Sequence, residues 1–550
     1  MGDLATLTPL CSPLLWSSVA TGHYADRHGV LDIAEPDPVT AGVRPVTRAS
    51  LRSPHIWDLL AHEGLRCQTI GWPVTHPAAG ASTCVSDGFA CGVSDSIYPK
   101  LLEPTIAPLR FQPNEWTGNE LHLFVPEMAR IDQDKDKRLA QLAVVLAEAV
   151  SVHAAATTLL ESEVWDFTAV WFGVAARALE LFPNSDDPIY GKVSEGVYRL
   201  LDLMLGRLLR IAGEDAVVML VSDRTAGESE WQRSAGRGPK GLLCAAGPGI
   251  EPDELTFGSG LLDIAPTILG LFGFAPAPGM PGRAIPEICR TKSFRALANV
   301  DIPAPQRSVS PAEAALDIEA RELEKLGYTD SIAAAWRAEA KAAEARRQFH
   351  LARVLLAQGR MREAVPLFED LVSRNPTLVD LRLFLAHAYF RSNRVQECRA
   401  TCEALLREFP DSPFVPLGQA HLAIAEGNYQ EALAQLASAQ SGFGIIAELD
   451  ASVGEAYLQL ELWEEAAAAF RSAIQTDAGI AAAHEGLARA LLELKQPSEA
   501  AEAALDAIRL RYDLPRSHQI LGRALEALGR QEAAAGAFAN ADALNRQQVV

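Results

Sequence analysis

Six positions spaced 34 residues apart constrain this chain more than any other feature. Ala364, Cys398, Ala432, Ala466, Ala500 and Ala534 carry small side chains in one register, and Gly359, Asn393, Gly427, Glu461, Lys495 and Gly529 keep the same period five residues earlier. Pro376 and Pro410 fall in step. Such a period in an Ala-, Leu-, Glu- and Arg-rich stretch predicts stacked helix pairs. A small residue lets two helix backbones approach, and Gly or Asn permits the positive φ of a tight turn. A plain Ala-rich bundle would not hold one phase over six units. Residues 345–550 are therefore expected to form an all-α solenoid of six units, none of which buries its apolar face alone.

The period, the turn residues and the small residues resemble the tetratricopeptide repeat. That resemblance places the first helix of each repeat on the concave face. Counting from Ala345, the ninth position is Arg353, then His387, His421, Glu455, Arg489 and Arg523; one turn earlier stand Phe349, Leu383, Leu417, Ala451, Glu485 and Gln519. The expected groove is apolar and weakly basic over three repeats and more polar beyond. A protein or peptide partner is expected to anchor apolar side chains near Phe349, Leu383 and Leu417, with an acidic group near Arg353 and with His387 and His421 alongside. The competing reading is that these side chains pack between helices. Cys398 and Cys402, at i and i+4, read as core packing.

Composition shifts near residue 300. Before it, short apolar runs alternate with helical stretches: Cys67–Trp72, Trp165–Phe172, Ala216–Ser222 and Gly241–Ala246 read as buried parallel strands, and Lys137–Glu161, Glu195–Ala212 and Ser259–Leu271 as helices. This alternation predicts a layered α/β domain with its chemistry at the carboxyl ends of the strands. The expected division is 1–299 for that domain, 300–344 for a linker with connecting helices, and 345–550 for the solenoid.

Charge and composition exclude several classes. With 49 basic and 70 acidic side chains the formal charge is −21, which disfavours phosphate backbones and anionic lipid. No stretch of 18 uncharged apolar residues suggests a membrane span, and the N-terminus does not read as a secretory signal. Eight cysteines without a tight framework fit a reducing compartment. The expectation is a cytoplasmic protein that binds no nucleic acid.

Ser12–Val30, SPLLWSSVATGHYADRHGV, resembles the nucleophile region of the alkaline phosphatase superfamily, in its type I phosphodiesterase/nucleotide pyrophosphatase-like branch. The likeness continues through GWPVTHPA, WDFTAVWF, VVMLVSD, AAGPGIEPDEL and LLDIAPTILGLFG, and ends near ELEKLGY at residue 328. It implies an alkaline-phosphatase-like layered sheet and hydrolysis of phosphate or sulfate esters. Two divalent ions, typically zinc, would activate a Ser or Thr at a helix N-terminus, here Ser12. Against the family, the first strand and its metal-binding aspartate are absent. That leads to the expectation of a longer gene product or of another segment filling the vacant central strand.

The remaining ligand positions are altered as well. Ala176 stands where the resemblance places an aspartate, Glu180 and Arg177 where it places histidines, and Asp223-Arg224 where it places an Asp-His pair. Arg233, Arg237 and Lys240 occupy the stretch that should hold a further histidine, and no histidine lies between His153 and His350. Ser12 and Asp223 are then vestigial, and no metal is expected. Arg177, Arg224, Arg237 and Lys240 form a candidate pocket for a phosphate-like anion. His23 and His28 read as structural rather than as metal ligands, and Trp72, His76 and Pro77 as packing residues, with the lining of a ligand pocket as the alternative. Three functions follow. The first is an inactive pseudo-phosphatase or phosphodiesterase carrying a tetratricopeptide adaptor. The second is an active enzyme with two zinc or other divalent ions. The third is an anion-sensing regulator.

Overall fold

The computed structural model describes all residues except 8, 10, 38–42, 184–185, 224–239, 253–255, 257–258, 291–292, 299–339, 377, 410–414, 444–446, 477–479, 511–513 and 549–550. The N-terminal part contains strands β1 (Gly2–Ala5), β2 (Ala34–Pro36), β3 (Val43–Pro45), β4 (Cys67–Ile70), β5 (Thr83–Val85), β6 (Ile97–Tyr98), β7 (Phe167–Val170), β8 (Val218–Ser222), β9 (Lys240–Ala246) and β10 (Ser259–Gly260). Its principal helices are α1 (Ser12–Thr21), α2 (Ala25–His28), α3 (Ile56–His62), α4 (Arg138–Ser162), α5 (Val174–Leu181), α6 (Val193–Ala212) and α7 (Ile264–Leu271).

Two four-stranded sheets share one core. The first runs β10-β1-β9-β8 and the second β6-β5-β4-β7, with β2-β3 as a separate ribbon. Side chains alternate across a strand. Phe167, Ala169 and Trp171 therefore meet Leu14, Leu15 and Trp16 of α1 and Ile56, Trp57 and Leu60 of α3, together with Leu243 of β9. Val170 and Phe172 turn the other way, toward Val152, Ala155 and Leu159 of α4. The second sheet is thus the middle of three layers.

The four strands expected from sequence all form, but not all are parallel and buried. β4 pairs parallel with both β5 and β7, and all four of its residues are buried. β8 and β9 are antiparallel. Their outer face leaves Leu220 and Leu242 exposed at 46% and 36%, so they read as buried strands only because both faces are apolar. The helix expected over Ser259–Leu271 begins at Ile264; Ser259 and Gly260 pair with β1 instead. β1 itself lies inside its sheet, between β10 and β9. Among the described residues β7 is laddered to β4 alone and β8 to β9 alone, so no described segment fills a strand position beside either.

Helix α4 is long and apolar enough to cross a membrane by length and composition. It is a core helix here: Leu142, Leu146, Ala155, Ala156 and Leu159 are fully buried.

The solenoid contains helices α8 (Ala340–Ala357), α9 (Met361–Arg374), α10 (Val379–Arg391), α11 (Val395–Glu408), α12 (Val415–Ala425), α13 (Tyr429–Phe443), α14 (Ala447–Gln459), α15 (Trp463–Thr476), α16 (Ala481–Glu493), α17 (Pro497–Leu510), α18 (Pro515–Ala527) and α19 (Gln531–Gln548). The second helices of the six pairs start at Met361, Val395, Tyr429, Trp463, Pro497 and Gln531, 34 residues apart. All six turn residues have positive φ, from 57° at Asn393 to 77° at Gly427. Ala364, Cys398, Ala432, Ala466 and Ala500 are fully buried and Ala534 is 1% exposed, as close helix crossings require.

The first solenoid helix is described from Ala340 onward, in the stretch expected to hold connecting helices. The rest of that segment, 299–339, lies outside the described residues. α8 packs directly on β2 and α2 of the N-terminal domain, and α17 approaches β10.

Candidate functional site

Ser12 is the first residue of α1, at the helix N-terminus expected for it. Cys11 occupies the N-cap without a capping side chain, and Pro13 follows as a good first-turn residue. Among the described residues no side-chain cap bonds to this first turn, and the backbone N–H groups of a helix N-terminus are the usual physical basis of anion binding there.

The carboxyl ends of β4 and β7 carry tryptophans. Trp16 of α1 meets Trp72 edge to face at 5.3 Å and Trp171 at 6.3 Å, and Trp57 meets Trp72 at 5.4 Å. The Trp171 ring lies so close over Gly173 that a Cβ there would sit 2.4 Å from it. Large apolar rings thus fill the strand ends where the family resemblance locates ester chemistry.

Arg177 stands one turn into α5, and its guanidinium pairs with the Glu148 carboxylate of α4. Burial raises the Glu148 carboxyl above its ordinary range, and Arg177 opposes that shift. An anion at Arg177 would have to compete with this internal carboxylate. Asp223 is buried at the end of β8. Arg224, Arg233 and Arg237 lie outside the described residues; Lys240 is placed in β9 opposite Ala5, with its side chain outside them. The structure therefore brings Arg177 together with Glu148. It describes no contact among the four anion-binding candidates.

The implied pair of divalent ions can be tested against these donors. Ala176 offers none, Arg177 is a cation, and among the described residues no three His, Cys, Asp or Glu side chains converge as a metal site. These donors do not fit a dinuclear set, which needs several convergent N and O ligands.

The structural histidines are held as such. Val30 N–H donates to His28 Nδ1 at 3.2 Å, which leaves the proton on Nε2, 2.9 Å from Ser18 Oγ. Burial brings His28 down to about 3, and lowers His55 and His23 as well. Sequence reading missed His55, whose ring lies tilted against Trp57 with centroids 4.4 Å apart, beside the buried Arg48–Asp58 pair at 3.0 Å. Trp72 is core, as expected, and its indole N–H donates to Trp16 O.

In the solenoid, Phe349 packs at 5.3 Å against Phe384 and 6.4 Å against Phe368, and Arg353 lies over the Phe349 and Phe384 rings. Leu383 and His387 are half-buried on α10; Leu417 and His421 are placed on α12, with side chains outside the described residues. Further along the same ladder Glu455 pairs with Arg489 at 3.2 Å, which neutralises that end. Cys398 and Cys402 are both buried.

Residues 2–233 match the family model described as type I phosphodiesterase / nucleotide pyrophosphatase, and residues 355–417 and 454–515 match tetratricopeptide repeat models. This chain is a type I phosphodiesterase-like domain fused to tetratricopeptide repeats. No curated protein matches it. Among solved structures it is similar to a thermophilic tetratricopeptide repeat protein of Thermus thermophilus, at 20% identity over 34% of this chain and 98% of that one, with TM-score 0.29. It is also similar to YrrB, described as a tetratricopeptide repeat protein with an unusual peptide-binding site (15% identity, 32% and 91% coverage, TM-score 0.25). PilF of Pseudomonas aeruginosa is a third (14% identity, 35% and 88% coverage, TM-score 0.29).

Proposed function

We propose that this protein is a non-hydrolytic adaptor: its phosphodiesterase-like domain mounts the tetratricopeptide solenoid, and the solenoid binds a protein or peptide in the cytoplasm. The observation that carries the reading is the aromatic filling of the β4 and β7 ends by Trp72 and Trp171 around Trp16. A phosphoryl-transfer site needs room for an ester and oriented cationic or metal charge at that place. Arg177, on the helix that follows β7, is already paired with Glu148. The partner surface is the groove of the first repeats, where Phe349, Arg353, Leu383 and His387 offer an apolar floor and weak positive charge.

Two experiments test the two halves of this reading. Purified full-length protein should contain no stoichiometric zinc and should not turn over a generic aryl phosphate ester, with or without added divalent ions. Turnover abolished by Ser12→Ala would overturn the adaptor reading. Leu383→Glu should fold and lose the partner captured by wild-type protein; retention of every partner would overturn the groove assignment.

A further inference from the structure

The N-terminal domain grips the first repeat through charge. Arg346 Nε lies 3.0 Å from Asp32 Oδ2, Arg347 Nη1 lies 3.3 Å from Glu35 Oε2, and Arg360 Nη1 lies 2.5 Å from Asp26 Oδ2. His350 Nδ1 donates to the Leu31 carbonyl at 2.7 Å, and Gln358 donates to Asp26 Oδ1 at 3.1 Å. Beneath these polar contacts Val354 of α8 is buried in the core cluster of the N-terminal domain, with Leu351 packed on it. The acidic partners are desolvated: Asp32 is 3% and Glu35 6% exposed. Removing one partner of such a desolvated pair leaves an uncompensated buried charge, so the contact is costly to break.

The location of this contact on α8 gives it meaning. Arg346, His350 and Arg353 fall at i, i+4 and i+7 and so share one helix face. Arg346 pairs with Asp32 at 3.0 Å and His350 donates to the Leu31 carbonyl at 2.7 Å, so Leu31 and Asp32 lie against the helix face that also carries Arg353. Arg353 is the ninth-position residue of the first repeat, lying on the Phe349 and Phe384 rings. The Asp32 carboxylate therefore sits at the basic end of the groove, on the face assigned above to a partner's acidic group.

We propose that the segment Leu31–Glu35 is an internal ligand of the first repeat. It occupies the basic end of the groove from within the same chain, and an acidic partner segment must displace it to reach Arg346 and Arg353. The docking stands on the contacts alone; the competition rests on the groove reading given above.

The test uses full-length protein. In Arg346→Gln/Arg347→Gln, whose side chains are partly exposed, amide exchange over residues 31–36 should rise about tenfold or more while the circular dichroism of the solenoid is unchanged. Unchanged exchange there would overturn the internal docking. A fluorescein-labelled oligoglutamate peptide at low ionic strength should bind Asp32→Asn about tenfold more tightly than wild type, and Arg346→Gln/Arg347→Gln more weakly than Asp32→Asn. Equal affinity for wild type and Asp32→Asn would overturn the competition. If Leu383→Glu keeps every partner while the exchange result holds, the groove reading fails and the docking remains.

Discussion

Trp72 stands edge-on to Trp16, with ring centroids 5.3 Å apart and planes at 90°, and its indole N–H reaches the Trp16 carbonyl oxygen at 3.3 Å. One helix and one strand end are thereby tied through a single aromatic contact at the edge where a hydrolase of this family would keep its reactive groups. Trp72→Ala should destabilise the N-terminal domain by about 3–5 kcal/mol, since a large buried ring leaves a cavity that the neighbours fill only in part. Trp72→Phe, which loses the hydrogen bond and part of the ring but keeps an aromatic side chain, should cost less, about 1–2 kcal/mol. Denaturant unfolding followed by tryptophan fluorescence would separate the two.

The Arg177–Glu148 pair predicts a non-additive cycle. Its side chains are 14% and 19% exposed, so removing one charge strands the other out of water. Glu148→Gln alone should cost about 3–5 kcal/mol, whereas Glu148→Met with Arg177→Met should recover most of that loss. A double-mutant cycle in urea measures the coupling. Additive costs would mean that the two side chains act independently.

His28 makes stability depend on pH. Its pKa falls from 6.5 when unfolded to about 3 when folded, because burial penalises the imidazolium. Between those values the unfolded state binds more protons. The stabilisation is therefore complete above pH 6.5 and is lost as pH falls below it, by about 2 kcal/mol at pH 5. His55, lowered by burial and by Arg48, acts in the same direction. A variant carrying His28→Gln should show a shallower stability slope between pH 7 and pH 5 than wild type.

Two repeat turns carry residues that tolerate their backbone poorly: Glu461 and Lys495 both have φ of 60°. Glycine adopts this conformation without the Cβ penalty, at some entropic cost in the unfolded chain. Lys495→Gly should therefore stabilise the solenoid by about 0.5–1 kcal/mol, while Gly529→Ala, at φ 73°, should destabilise it. Thermal melts of the full chain would show the opposite shifts.

The sequence by itself determined the solenoid. Its register is local: each turn residue and each small residue is fixed by neighbours within one repeat, so a 34-residue count locates Asn393, Lys495 and Ala466 without coordinates. Strands β4, β7, β8 and β9 were legible for the same reason, as short apolar runs. Their pairing was not legible, because an apolar run looks alike whether it is sandwiched like β4 or half-exposed like β8. Ser12 was readable from its motif, but the filling of the nearby strand ends was not: Trp16, Trp72 and Trp171 are far apart in sequence and meet only when α1 packs across the ends of β4 and β7. The same holds for Arg177, whose partner Glu148 lies on another helix, and for Asp32 and Arg346, which are 314 residues apart. Side chains that find each other by long-range packing leave no periodic trace, so only the tertiary structure decided what these charges and rings do.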